Sequence, residues 1–322
     1  RERGDQRPYL DGVNAPVPTT DTSAEAGRVA SAAPPRTGSE PTTVGFVVGP
    51  MNFVQKLDGA FGFLRLELSA MLLGAVVLVL PPSLLAQVVA RQATMFTVLS
   101  ADLNNDPTGT GVGSGWSALG SVAASLWLSL GTLALGIYAG LLLRARLAGE
   151  PVSVRMLLDG TLRRLGGGAG AWALHLVALG FGLLACGVGV LVPMTLLLVI
   201  GPVIGVEDAG FRGFTRSASL TQTRFFAILG VVVASTLLTA LLSAVPPNVV
   251  DLIVELLAGT TLPTGWEWIP KAAAGLLATA AASTVAVSIA LTTYVDLRCR
   301  REGWDLLSRM ADEFPPPNGT AS

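Results

Sequence analysis

Between Ala169 and Val206 the chain runs for 38 residues without a single Lys, Arg, Asp or Glu. As one α-helix this run would be about 57 Å long at 1.5 Å per residue, nearly twice the ~30 Å hydrocarbon layer of a bilayer. In lipid no water is present to hydrogen-bond the backbone, so only helices and closed barrels can cross. The run is therefore expected to divide. Gly187, Gly189 and Pro193 supply the breaking chemistry for a tight hairpin between two helices near 169–188 and 190–206.

Four further runs reach spanning length, near 66–90, 119–143, 225–245 and 272–295. Composition agrees: 51% of the 322 residues are hydrophobic, mean hydropathy is +0.60, and 13% are charged, against about 25% in a soluble domain. The expectation is an all-α, polytopic transmembrane bundle with six spans over residues 51–310. Residues 1–50, rich in Pro, Gly, Ser and Thr without apolar periodicity, and 311–322 read as disordered tails.

The distribution of basic residues tests the division at 187–193. With six spans, one face carries Lys56, Arg65, Arg144, Arg146, Arg155, Arg163, Arg164, Arg212, Arg216, Arg224, Arg298, Arg300, Arg301 and Arg309. The other carries Arg91 and Lys271, fourteen against two, and a single span over 169–206 would destroy this asymmetry. The excess of Lys and Arg marks the cytoplasmic side, so both termini are expected there, in a bacterial plasma membrane. An Arg-rich, Lys-poor chain in an Ala, Gly, Leu and Val background is consistent with a high-GC bacterium.

The segments on the basic side share a form. Phe53, Leu57, Phe61 and Leu64 line one helical face ahead of the first span; Val154, Leu157, Leu158, Thr161, Leu162 and Leu165 do so ahead of the third; Phe211, Phe214 and Ala218 do so ahead of the fifth. Each is expected to be a short amphipathic helix in the headgroup layer. The chain then reads as three copies of one unit, an interfacial helix followed by a two-span hairpin, with a fourth interfacial helix after the sixth span. Ala274, Ala278, Ala282, Ala286 and Ala290 give the last span a narrow ridge, and Gly136 and Gly140 give the second a shorter one. Both suit close helix packing within the chain.

Chemistry-bearing constellations are few. The net charge of −1 with dispersed basic residues excludes a nucleic-acid partner. Catalytic carboxylate pairs, a Ser–His neighbourhood, a phosphate loop and metal-spaced His or Cys are missing from the sequence, so no catalytic, cofactor-binding or metal-binding residue is assigned. His175, the one histidine, lies inside the third span; a neutral imidazole bonded to a neighbouring helix is expected, with a proton relay as the alternative. Glu67 sits at the interface, within reach of Arg65 or water. Asp251 and Glu255 share a helix face on the opposite side, which reads as solvated surface.

The richest polar chemistry flanks the fourth and sixth spans. A cluster of Glu207, Asp208, Arg216, Ser217, Arg224, Asp296, Arg298, Glu302 and Asp305 is expected there. Contacts such as Glu207 with Arg298 and Asp296 with Arg216 would accompany the i,i+4 pairs Asp296/Arg300, Arg298/Glu302 and Arg301/Asp305. These runs, with Glu207, Arg216-Ser217 and Arg224-Phe225, then Tyr294 to Asp305, resemble the bacterial family named after the membrane domain of glycerophosphoryl diester phosphodiesterase. The resemblance covers about residues 52–310 and implies a six-helix membrane module; the phosphodiesterase domain and its metal ligands have no counterpart here.

Three functional readings follow. The leading one is a non-catalytic module that organises lipids or partner membrane proteins through its interfacial helices and charged cluster. The second is a transporter or channel component, which requires a polar cavity near the midplane lined by His175 or by broken helices around Pro193 and Pro202. A membrane-embedded enzyme acting on lipid would instead need Asp296, Arg298 and Glu302 to converge on a pocket.

Overall fold

The computed structural model describes residues 48–89, 112–184, 188–257 and 268–303, and among them no strand occurs. The sequence-predicted tails at 1–50 and 311–322 lie outside these residues except for 48–50, as do Arg91, Cys186, Asp305 and Arg309. The helices are α1 (Phe53–Leu66), α2 (Leu68–Val89, with a turn at Val79), α3 (Val112–Leu147), α4 (Val154–Leu184), α5 (Leu191–Leu196), α6 (Ile200–Glu207), α7 (Gly213–Thr221), α8 (Phe225–Leu257) and α9 (Trp268–Glu302).

Five segments are long and apolar enough to cross a membrane: Leu68–Val89, Val122–Leu147, Val154–Leu184, Gly210–Val250 and Ile269–Glu302. The stretch Leu191–Glu207 is shorter and equally apolar. It runs alongside α3 in the same direction, because Gly136 faces Gly201 and Gly140 faces Gly205. A Cβ on Gly140 would stand 2.9 Å from the Gly205 Cα, and one on Gly205 would collide with the carbonyl oxygen of Ile137. This approach is closer than any side chain permits, so the glycine pair on the second span packs within the chain.

α1 forms where the sequence predicts a separate amphipathic helix. Asn52 and Gln55 close a capping box: the Asn52 side chain accepts from the Gln55 N–H at 2.9 Å, and the Gln55 side chain accepts from the Asn52 N–H at 2.8 Å. Gly59, Ala60 and Phe63 are buried against the bundle while Phe53 and Phe61 stay exposed. α7 is likewise short and buries Gly213, Ser217, Leu220 and Thr221.

Four expectations need correction. The helix ahead of the third span is not separate: α4 runs unbroken from Val154 to Leu184, so the second unit of the expected threefold repeat lacks its own interfacial helix. Nothing between Leu165 and Ala169 stops the hydrogen-bond ladder, and Gly167 and Gly168 let α4 pass close to the Gly210 backbone and to Ile137. The fifth span does not end at Val245, because α8 continues through Pro246 and Pro247 to Leu257. At about 50 Å it outruns the hydrocarbon layer. The residues expected to form the fourth span are broken near their middle, at Leu197–Val199. Residues that were to form an interfacial helix after the sixth span continue α9 to Glu302, and those beyond Gly303 lie outside the described residues.

α8 and α9 form the most extensive helix pair, followed by α3 with α6. In the alanine ridge of α9, Ala278, Ala282 and Ala290 are buried. The largest fully buried side chains, among them Tyr138, Tyr294, Phe63 and Met71, occupy the half of the bundle next to its charged end.

Candidate functional site

The charged residues gather at one end of the bundle, in networks that join helices distant in sequence. In the first, the Asp296 carboxylate of α9 is fully buried. Its Oδ1 accepts from the Met51 N–H at 2.7 Å and from Arg300 Nε at 2.7 Å. Lys56 Nζ of α1 lies 2.7 Å from Oδ2, an ion pair whose angles fall outside hydrogen-bond geometry. Arg300 also donates to the Met51 carbonyl at 2.9 Å, and Thr292 Oγ1 donates to the Lys56 carbonyl at 3.1 Å. One carboxylate thus faces two cations and a backbone N–H, the compensation that a buried charge requires.

The second network is half-buried. Arg216 of α7 donates to both oxygens of Glu207, at 2.7 and 3.2 Å, and also bonds Glu302. The Tyr294 hydroxyl donates to Glu207 Oε1 at 2.9 Å and accepts from Arg298 at 3.1 Å, while Arg298 Nε donates to Glu302 at 3.0 Å. Two smaller links complete the rim. Arg146 donates to the buried Glu67 at 3.0 Å, where sequence offered Arg65 or water. Arg164 bonds the Gly205 carbonyl and lies 3.0 Å from Asp208, whose left-handed backbone (φ 55°) ends α6.

The sequence-predicted cluster therefore falls into several groups. Glu207, Arg216, Arg298 and Glu302 come together, with Tyr294 linking Glu207 to Arg298. Asp296 does not meet Arg216, because α1 brings Lys56 to it first. Asp208 turns to Arg164. Arg224 is exposed at the start of α8, with no ion pair among the described residues, and Asp305 lies outside them. The pairs Asp296/Arg300 and Arg298/Glu302 form. The carboxylates of Asp296 and Glu302 belong to different networks and do not share a pocket.

Ser217 has a different use. The break at Leu197–Val199 removes the regular partner of the Leu196 carbonyl, since the Ile200 N–H bonds to Leu197 instead, at 3.1 Å. Ser217 Oγ and Thr221 Oγ1 of α7 both donate to that carbonyl at 2.9 Å. Non-helical backbone at membrane depth persists only with such substitutes.

Beside this break lies a cavity of about 340 Å³. It is lined by Ser129 and Thr132 of α3, Trp172 and His175 of α4, Ser235 and Thr239 of α8, Pro202 of α6, and Ala286 and Ala290 of α9. The helices α3, α4, α8 and α9 each contribute from near their middles. Exposed Thr236 also lines the cavity, which therefore reaches the lateral surface of the bundle between α4 and α8. The hydroxyls donate to their own helices: Thr132 to the Leu128 carbonyl at 3.1 Å, Ser235 to Val232 at 2.9 Å and Thr239 to Ser235 at 2.8 Å. Trp172 Nε1 donates to Ser129 Oγ at 2.9 Å. What remains for an occupant is hydroxyl lone pairs. His175 Nδ1 is buried and has no hydrogen-bond partner among the described residues.

Sequence reasoning named His175 and missed the hydroxyls around it. Their signal is the spacing of Ser235, Thr239 and Ser243 at i,i+4, which puts three hydroxyls on one face of an otherwise apolar span. Among the described residues no group of three or more His, Cys, Asp or Glu is placed to hold a metal ion.

A bundle of long apolar helices with its charges gathered at one end and a cavity at its centre defines a multi-pass helical membrane protein. No family model matches the chain, and no curated protein or solved structure matches it.

Proposed function

We propose that the protein binds a small, uncharged, largely apolar molecule within the bilayer and acts as a carrier, or a component of one, for that molecule. The observation that carries this reading is the cavity at the broken fourth span, lined by His175 and by the hydroxyl residues Ser129, Thr132, Ser235 and Thr239 among apolar walls. Its volume falls at the small end of the roughly 300–1,000 Å³ range of ligand sites, which are likewise mostly apolar with a few placed polar groups. Broken helices beside a central cavity are the usual construction of transport sites. No carboxylate, Lys or Arg lines the cavity, so a permanent ion has no counter-charge there. Acceptors dominate its polar lining, so the occupant carries an O–H or N–H donor.

This reading includes six crossings, with Leu191–Glu207 as the fourth, and places both termini in the cytoplasm of a bacterium on the strength of the arginine asymmetry. The glycerophosphoryl diester phosphodiesterase membrane-domain resemblance agrees with six helices. The second reading, a module that organises lipids or partner proteins at the cytoplasmic face, draws on the charged rim. Against it as the main task, Asp296, Glu67, Glu207 and Glu302 of the rim are each held by partners from within the chain. For the same reason an enzyme using Asp296 and Glu302 is the least favoured.

The test is extraction of the protein from its native membrane, followed by mass spectrometry of small molecules released on denaturation. The wild type is expected to yield a neutral amphiphile at near-stoichiometric amount, lost from Ala290→Leu, which fills the cavity, and from His175→Phe. A wild type that releases the same molecules as both folded variants sinks the proposal.

A further inference from the structure

A second concave region lies at the charged end, at the elbow where α3 turns into α4. It encloses about 1,070 Å³ between the last turn of α3 and the first turns of α4. The chain reverses through Gly149, at φ 67°, and Gly160 approaches only the tip of Leu141, which leaves the groove between the two helices open. Arg144, Arg155, Arg163 and Arg164 line it, together with Glu150 and Asp159.

Their pairing differs. Arg163 is held by Asp159 at 2.8 Å, and Arg164 by Asp208 at 3.0 Å. Arg144 and Arg155 are exposed and make no ion pair among the described residues; Glu150 is the one lining carboxylate in the same condition. Two open cations against one open anion leave a net positive groove. Its walls include Met156 and Leu162, 55% and 60% exposed, on the same turns of α4. Apolar side chains beside uncompensated guanidinium groups, at the level where spans leave the hydrocarbon, match a molecule that is anionic at its head and apolar just below it. Guanidinium also suits phosphate oxygens better than a lysine ammonium does, through its paired N–H groups.

We propose that this elbow binds the phosphate-bearing headgroup of an anionic phospholipid, with Arg144 and Arg155 as its ligands and Met156 and Leu162 against the upper acyl chain. The site is independent of the central cavity: it shares no residue with it and stands if the carrier reading fails.

The experiment uses the full chain in detergent, mixed with equal amounts of phosphatidylglycerol and phosphatidylcholine, with bound lipid counted by native mass spectrometry. The wild type is expected to retain phosphatidylglycerol preferentially. R144Q/R155Q should reduce that preference at least about tenfold, each arginine near an anionic surface contributing about fivefold. R144K/R155K should keep a measurable part of it, E150Q should raise it, and R224Q, which removes an exposed arginine outside the groove, should leave it unchanged. If the double variant aggregates, R155Q alone carries the test through a severalfold decrease. Equal retention of both lipids by the wild type overturns the proposal, as does a preference that survives R144Q/R155Q or disappears with R224Q. Displacement of the lipid by millimolar inorganic phosphate would assign the groove to free phosphate and remove the lipid from it.

Discussion

The charged rim and the central cavity both withdraw polar groups from water, and they treat them in opposite ways. At the rim, Asp296 is closed over by Lys56, Arg300 and the Met51 N–H, and Glu207 by Arg216 and Tyr294. Around the cavity, His175 Nδ1 has no hydrogen-bond partner among the described residues, and the hydroxyls of Thr132, Ser235 and Thr239 donate to their own helices, which leaves their oxygens as acceptors. A satisfied buried group fixes structure, whereas an unsatisfied one costs stability until something else satisfies it. The contrast separates the part of the molecule that holds its shape from the part with chemistry still to offer.

Four substitutions act on this contrast, in decreasing order of expected effect. Asp296→Ala strands Lys56 in a buried position and should destabilise the fold by about 3–5 kcal/mol, the typical cost of removing one partner from a buried pair; loss of monodisperse protein on heating in detergent measures it. Gly205→Val forces apart α3 and α6 beneath the rim, with an expected cost of about 1–3 kcal/mol from overpacking and a lowered melting temperature in the same assay. Ser217→Ala combined with Thr221→Val leaves the Leu196 carbonyl unsatisfied, for about 1–3 kcal/mol; here hydrogen exchange should rise first at Leu197–Ile200 rather than at the rim. His175→Phe should change stability by less than about 1 kcal/mol, as a volume-similar swap at an unsatisfied position, while it abolishes retention of the cavity's ligand. A large loss of stability in His175→Phe, or none in Asp296→Ala, would reverse the roles assigned to the two regions.

Much of the fold was legible because run length and charge placement are local quantities. The helical nature of the chain, the division of residues 169–206 and the separate helix ahead of the first span all follow from residues close together in sequence. The i,i+4 pairs Asp296/Arg300 and Arg298/Glu302 are legible for the same reason. Continuity was harder. The expected joint ahead of the third span falls at Gly166, Gly167 and Gly168, and the expected end of the fifth falls just before Pro246-Pro247. In the structure both stretches stay helical, since a break in lipid strands backbone groups that the helix otherwise satisfies. Pairing across the fold was least legible. The sequence pointed Asp296 to Arg216, and Lys56 becomes its partner only through the docking of α1 against α9. The cavity's hydroxyls were visible as a period of four in α8, yet Ser and Thr in spans commonly bond only their own helix, which hides an acceptor-lined space from any reading of one helix at a time.

The tie between Met51 and Asp296 joins positions 245 residues apart. At roughly 5–20 residues per second, a ribosome needs about 10–50 s to travel between them. Throughout that interval α1 has its lysine and no aspartate to receive it. The nascent protein must therefore carry α1 as an unlatched flap, fastened only when α9 arrives.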